Sequence, residues 1–501
     1  MHQRRIVVTK LAKSCSVAIA GCALLAAFAP SHAGAADPSL TVGGQTFVNQ
    51  GLVAVGRLPA NLRDQFGETF GSSSGMAVDP SSWHRTATGY EGTIFLLPDR
   101  GYNVEGTTDY RSRLNVVKVV LTPAAAGAAL PEDAQQTGIA ATLSGSLLLT
   151  DGAGANLTGL DPGSVRPAAN GLPDLPLASN GHVSLDAEAI TRLPDGSFFV
   201  GDEYGPYIYR FSAEGKLLSA IRPPSAFIPM RNGKQDFSSN NPGSGAQKPS
   251  PEDPETGRQN NQGFEGVALT PDGKQLVAVL QSAARQDGGD SGATRRYTRA
   301  LIYDVSDPAA PKLLREHVVP LPTFRDAQGK TKVAAQSELL ALSDSLFLLL
   351  CRDSNNGFGV KGDTSLYRRI ELLDLGGATN IAGTEFDGVK PVAPKGVLDP
   401  AVAPATLQSF IDLNDNVQLN RFGLHSGAPN DRNNLSEKWE SMSLVPSLDP
   451  GHPQDFFLLV GNDNDFLTTD GFQVGAAYQA SADVDTMLLV YRVTLPALAT
   501  N

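Results

Sequence analysis

The 501-residue chain carries 40 basic and 52 acidic residues, a formal net charge of −12, and only three cysteines. That balance disfavours a nucleic acid or an anionic lipid surface as partner, and it suits cation binding. With 51 glycines, 34 prolines and no collagen-like period, the composition favours many short strands joined by turns over long helices.

Residues 1–35 read as a secretory signal peptide: a basic start, MHQRRIVVTKLAK, an apolar run, SVAIAGCALLAAFAP, and small residues around a cut near Ala33 to Ala36. The expected location is periplasmic or extracellular. IAGC, ending at Cys22, is the alternative of a lipoprotein box, but more apolar sequence follows it. No later run is long and apolar enough to span a bilayer. Without the leader the charge is about −16, because Arg4, Arg5, Lys10 and Lys13 go with it. Cys351 is then the one remaining thiol, so no intrachain disulfide forms. It ends the apolar run SLFLLLC and is expected to be buried and inert.

From there to residue 498 one pattern recurs. It begins as SSSGMAVDP…GTIFLLPDRG at 72–101 and returns as SLDAEAITRLPDGSFFVGDEYG at 184–205 and NQGFEGVALTPDGKQLVAVLQS at 261–282. AQSELLALSDSLFLLLCRDS follows at 335–354, and EKWESMSLVPSLDPGHPQDFFLLVGNDNDF at 437–466. Each copy is a strand, a turn and a second strand ending in polar residues. Third strands follow as RLNVVKVVLT, YIYRFSAEG, RALIYDVSD, RRIELLDLG and MLLVYRVTL. Repeats of three or four antiparallel strands at intervals of roughly 75 to 110 residues predict an all-β propeller, with five motif-bearing blades and long loop insertions. The insertions fall at 123–182, 229–262, 283–297 and 376–436. QTFVNQGLVAVGRLP is expected to complete the last blade. A sixth blade stays open over 130–160, where IAATLSGSLLLT reads as strand.

A carboxylate precedes the first apolar run in four copies: Glu188, Glu265, Glu338 and Glu440. The first copy has Gly75 near that place. In a propeller the first strands line the central channel, so these glutamates are expected to converge at one mouth. Asp99, Arg100, Asp202, Glu203, Gln281, Arg352 and Asp463 end the second strands around them. Like charges so gathered raise one another's pKa unless a cation offsets them. Carboxylate and carbonyl oxygens suit Ca²⁺ best. The alternative is structural, each Glu capping a turn or pairing with an Arg between blades.

DRGYN, DAEAI, GDEYGPYIYRFSAEGKLL, NQGFEGVALTPDGKQLVAVLQS and GNDNDF resemble the bacterial phytase-like family described as esterase-like activity of phytase. The resemblance runs from about residue 50 to the C-terminus. It implies a secreted β-propeller that hydrolyses ester or phosphoester bonds. It supports the fold far more than a substrate. Gln281 stands where three other copies have an acid, so if that position binds metal one ligand there is neutral.

The expected function is therefore a metal-assisted ester or phosphoester hydrolase. Asp99, Glu188, Glu265, Glu338, Glu440, Asp463 and Asp465 are the expected metal residues. Asp202, Glu203 and Glu265 are the expected catalytic residues, and Arg100 and Arg352 hold substrate. The partners are a small-molecule ester and no nucleic acid, and the chain is a monomer. A non-catalytic binding propeller and a lactonase-like metal hydrolase are the alternatives. Ser73, central in GSSSG, lacks the strand before and the helix after that a nucleophile elbow needs. Histidines are scattered without zinc spacing, and DLNDN at 412–416 is a fragment of a calcium loop without its Gly and Glu.

Overall fold

The computed structural model describes residues 39–498 except 126, 244, 245 and 389, so the leader, its cleavage site and Cys22 lie outside the described residues. Five antiparallel sheets carry the fold. Blade 1 runs Gly75–Arg85, Tyr90–Leu97, Arg113–Leu121, Ile139–Leu148. Blade 2 runs Ala187–Arg192, Phe198–Asp202, Ile208–Phe211, Leu217–Ile221. Blade 3 is Phe264–Leu269, Gln275–Leu280, Tyr297–Asp304 and Lys312–Pro320; blade 4 is Ala335–Ala341, Leu346–Arg352, Arg368–Asp374 and Thr406–Asp412. In blade 5, Lys438–Pro446, Asp455–Asp463 and Thr486–Thr494 are joined by Gln45–Leu58 from the other end of the chain, with Ser39–Val42 folded back beside it.

The inner strands touch in the order of the blades, and the inner strand of blade 5 touches that of blade 1, so the ring is closed. The closure is the expected one: Leu52 pairs with Tyr491 and Arg57 with Met487. Two details differ from the sequence reading. Ile139–Leu148 is the outer strand of blade 1, paired along Arg113–Leu121, and not a sixth blade. Thr406–Asp412, inside the supposed loop 376–436, is likewise the outer strand of blade 4. Both are poor in turn-forming signals but sit at the ring's edge, where one face is wet and the apolar run is broken.

Packing explains why the second strands are apolar throughout. Leu458 and Val460 face blade 4, whereas Phe457 and Leu459 face blade 1. Leu348 and Leu350 face blade 5, and Phe347, Leu349 and Cys351 face blade 3. Alternate side chains point to opposite faces, and each blade is sandwiched, so both faces are dry. The other two seams, between blades 1 and 2 and between blades 2 and 3, hold clusters of the same kind. Cys351 is a free, buried thiol, and burial followed by the Glu371 charge pushes its pKa well up.

Candidate functional site

The glutamates of the repeat owe their placement to β-bulges. In blades 2, 3 and 5 the ladder to the second strand skips one inner-strand residue, and the skipped residues are Glu188, Glu265 and Glu440. A bulge re-aims its side chain. In blade 4 the skipped residue is Ser337, and Glu338 pairs opposite Leu350. In blade 1 the ladder starts at Gly75 opposite Leu97, so the matching place belongs to Ser74. The ring therefore holds three glutamates and two serines. Glu338 sits one residue further down its strand. It meets the backbone N–H groups of Leu339, Met442 and Met76, with no charged side chain among its main influences. It is a group of the channel interior, and the expectation that it joins the acidic mouth is corrected by this one-residue shift in register.

The second strands supply the matching outer residues: Asp99, Glu203, Gln281, Arg352 and Asp463. Gln281 donates through Nε2 to Glu265 Oε1, and Arg352 through Nη2 to Glu440 Oε1 across the seam between blades 4 and 5. Two residues that the sequence reading passed over complete the mouth. Asp186, two residues before Glu188, takes Arg100 Nη1 at 3.0 Å. Lys438, two residues before Glu440, places Nζ 3.2 Å from Asp463 Oδ2 and 2.7 Å from Asp465 Oδ1. A signal existed for both: a charged residue at i−2 in a strand lies on the same face as the glutamate.

Burial and mutual repulsion set the electrostatics. Glu188 is pushed well above the usual carboxylate range, first by burial and then by Asp186, Glu203, Glu440 and Glu265. Glu265 is raised by burial, Glu203 and Glu440, with Arg352 and Lys438 pulling the other way. Asp99 is raised by burial and by Asp463. Glu203 is pushed up to about 8 by burial and the Asp186 charge, against Arg100. Asp186, Asp463 and Asp465 are raised too, each chiefly by burial. Counting Glu440, eight carboxylates face the five positive charges of Arg100, Lys438, Arg352, Arg258 and Arg295. The excess is met either by protons or by a cation.

The donor set fits a hard cation. Asp99, Asp186 and Glu188 bring one oxygen each to within 4.8 Å of one another, the span across a calcium ion at its ordinary oxygen distances. Asp99, Asp463 and Asp465 form a second such group, but Lys438 already stands between two of them. Glu203 Oε2 and Glu265 Oε2 are buried without a hydrogen-bond partner, and Asp186 Oδ2 has only the Arg100 ion pair. Asp202 is different. Its Oδ1 accepts from the N–H groups of Asp186 and Tyr204 at 3.0 Å and its Oδ2 from Gly205 at 2.7 Å. It ties the turn after the second strand and offers no free oxygen. Gly263 closes on the same turn: its N–H donates to Glu203 Oε1 at 3.1 Å, and a Cβ there would lie 2.3 Å from Glu203 Cα.

A phytase-like family model, described as esterase-like activity of phytase, matches residues 68–466. The chain belongs to that family. A protein of Arthroderma benhamiae named "Uncharacterized secreted protein" is 39% identical over 461 residues, covering 86% of this chain and 89% of the relative. Among solved structures, a luciferin-regenerating enzyme aligns at 11% identity and a TM-score of 0.26, covering 88% of this chain and 95% of that one. An N-acetylgalactosamine deacetylase from F. plautii aligns at 10% identity and a TM-score of 0.34, covering 90% and 97%. At such scores neither likeness bears on chemistry. Among the described residues no helix of this phytase-like chain is long and apolar enough to cross a membrane.

Other motifs of the sequence are absorbed by structure. Ser73 Oγ is 2.7 Å from Ser441 Oγ, a hydroxyl and not a base. In DLNDN, Asp412 pairs with Arg369 and Asp415 caps the short helix Asn416–Leu419. Asp287, in the loop between the second and third strands of blade 3, is buried against Arg299 at 2.8 Å. His182 and His425 bond within their own loops, to Asn156 and Gly427 carbonyls.

Proposed function

We propose that this phytase-like chain is a secreted, cation-assisted hydrolase of phosphate or carboxylic esters, acting at the acidic mouth of the propeller channel. The observation that carries the reading is the convergence of Asp99, Asp186 and Glu188 with buried, unpartnered carboxylate oxygens around them. Asp99, Asp186 and Glu188 would hold the cation, which is most consistent with Ca²⁺ by its all-oxygen donors. When bound, it supplies electrostatic polarisation of the scissile group.

The chain's own residues do the rest. Glu203 has Oε2 free, and once a cation offsets the Asp186 charge that helps to raise it, its carboxylate takes a proton from the attacking water. The water oxygen bonds to phosphorus or to the acyl carbon, the ester bond breaks, and the proton passes to the leaving oxygen. Glu265, with Oε2 free and Oε1 steadied by Gln281, orients that water. Arg352 is held by Glu440 but keeps Nε–H without a partner, and it receives the substrate's anionic oxygen. Arg100, bonded to Asp186 and to Ser239 Oγ at 3.1 Å, steadies the cation ligand beside it. The signal peptide expected from the leader sequence fits the secreted relative.

The second reading, a non-catalytic binding propeller, is favoured by the Arg352–Glu440 and Lys438–Asp463 pairs, which fasten strands of neighbouring elements at the mouth. Purified protein assayed on p-nitrophenyl phosphate and p-nitrophenyl acetate, with calcium and with chelator, separates the two. Chelator-sensitive turnover that is lost in Glu265→Gln and Glu188→Gln, with the fold intact, is the expected result. A folded protein that binds no metal and turns over neither ester supports the binding propeller.

A further inference from the structure

The other end of the channel holds a cavity of about 640 Å³, formed where the inner strands of all five blades run out. That volume lies within the range of small-molecule sites, which are mostly apolar with a few placed polar groups. Its wall is of this kind. Val267, Ala268, Leu339, Leu340, Leu444 and Phe456 line it, and Glu338 also borders it. Register puts Glu338 deepest: on its strand it is the first residue to reach the cavity, ahead of Leu339 and Leu340.

Glu338 is 1% exposed. Its Oε1 accepts from the Leu339 N–H at 2.8 Å; the Met442 and Met76 N–H groups lie nearby, but its Oε2 makes no hydrogen bond. A buried polar atom left without a hydrogen bond costs free energy, so a built site for one more partner exists at the cavity's inner end. No Lys, Arg or His pairs with Glu338 among the described residues, and burial pushes its pKa well above the usual range. Burial favours the neutral form of the carboxyl, which both donates and accepts. The rim is polar: Arg192 stacks its guanidinium over the Phe95 ring at 4.0 Å, and Asp79 accepts from Ser81.

We propose that this lower cavity is a second ligand site, separate from the acidic mouth, for an uncharged small molecule with an apolar body and a hydroxyl or carbonyl head that hydrogen-bonds to Glu338. The unpartnered carboxyl oxygen selects the head, the apolar wall selects the body, and the absence of a paired cation or anion at the floor selects against charge.

Calorimetric titration with 1-octanol, and with n-octylammonium as the charged counterpart, tests this on the full protein. Saturable 1-octanol binding is expected in the wild type and in Glu338→Gln, because an amide keeps one donor and one acceptor. Binding weakens about tenfold in Glu338→Leu, which loses the hydrogen bond. It is lost in Ala341→Trp, which fills the half-buried outer part of the cavity and keeps ester turnover as it was. Failure of 1-octanol to saturate means that only water occupies the cavity and overturns the proposal. So does equal binding in Ala341→Trp, and so does preference for n-octylammonium abolished by Glu338→Gln, which marks a cation site. Ester turnover read in parallel reports on the acidic mouth alone, so the two readings fail independently.

Discussion

Protons and a cation compete for the acidic mouth, and the competition is measurable as stability against pH. Glu203 holds its proton up to about 8 in the folded chain and Asp202 up to about 7, against ordinary values of 4.5 and 3.8. Well below both ordinary values, at about pH 2.5 and under, both groups are protonated folded and unfolded, and they contribute no pH dependence. Above that, the unfolded chain loses these protons while the folded chain keeps them, so folding takes up protons and stability falls as pH rises. One group held fully protonated against an ionised unfolded state costs about 1.4 kcal/mol per pH unit. Between pH 5 and 8, Glu203 alone then costs up to roughly 4 kcal/mol. A fold of this size has an unfolding entropy near 1 kcal/mol per kelvin, so the melting temperature should drop by roughly 4 °C or more in excess chelator. Calcium among Asp99, Asp186 and Glu188 offsets the Asp186 charge that helps to raise Glu203. It should restore the melting temperature at pH 8 and do little at pH 5, where protons already fill the site. Calorimetric scans at the two pH values, with chelator and with millimolar calcium, decide the matter. A melting temperature flat or rising with pH in chelator would refute the reasoning, as would an equal calcium increment at both values.

Arg352→Met should cost about 3–5 kcal/mol, because it strands the buried Glu440 carboxylate, and adding Glu440→Leu should recover most of the loss in denaturant unfolding. Lys438→Gln frees Asp463 and Asp465 for a cation, and calcium affinity by calorimetry should rise by about tenfold, or roughly 1.4 kcal/mol. Gly263→Ala should destabilise by about 1–3 kcal/mol and lower ester turnover more than Km changes, since its Cβ displaces Glu203. An unchanged turnover in that variant would remove Glu203 from the mechanism.

Much of this protein was written in its repeat. The five strand–turn–strand copies, the Asp-Gly turns and the two-sided apolar runs such as Phe347–Cys351 determined a propeller, because strands buried on both faces need a neighbouring blade on each side; that it has five blades and not six was settled by the pairing of Ile139–Leu148. The closing role of Gln45–Leu58 was legible for the same reason: an apolar N-terminal strand had no partner of its own. Register was not legible. Glu-Leu-Leu-Ala at Glu338 and Glu-Gly-Val-Ala at Glu265 read alike, yet a bulge at Ser337 instead of at the glutamate moves Glu338 down the channel. A one-residue slip redirects every side chain after it, and only the paired second strand fixes where the slip falls. The same holds for Asp202 and Glu203, adjacent in sequence, of which the backbone of the turn consumes one and leaves the other a free oxygen. Composition and spacing thus marked most of the acids at the channel, whereas tertiary packing brought in Asp186, moved Glu338 away and decided which of them still have an oxygen to offer, because that depends on register and on N–H groups brought in from other blades.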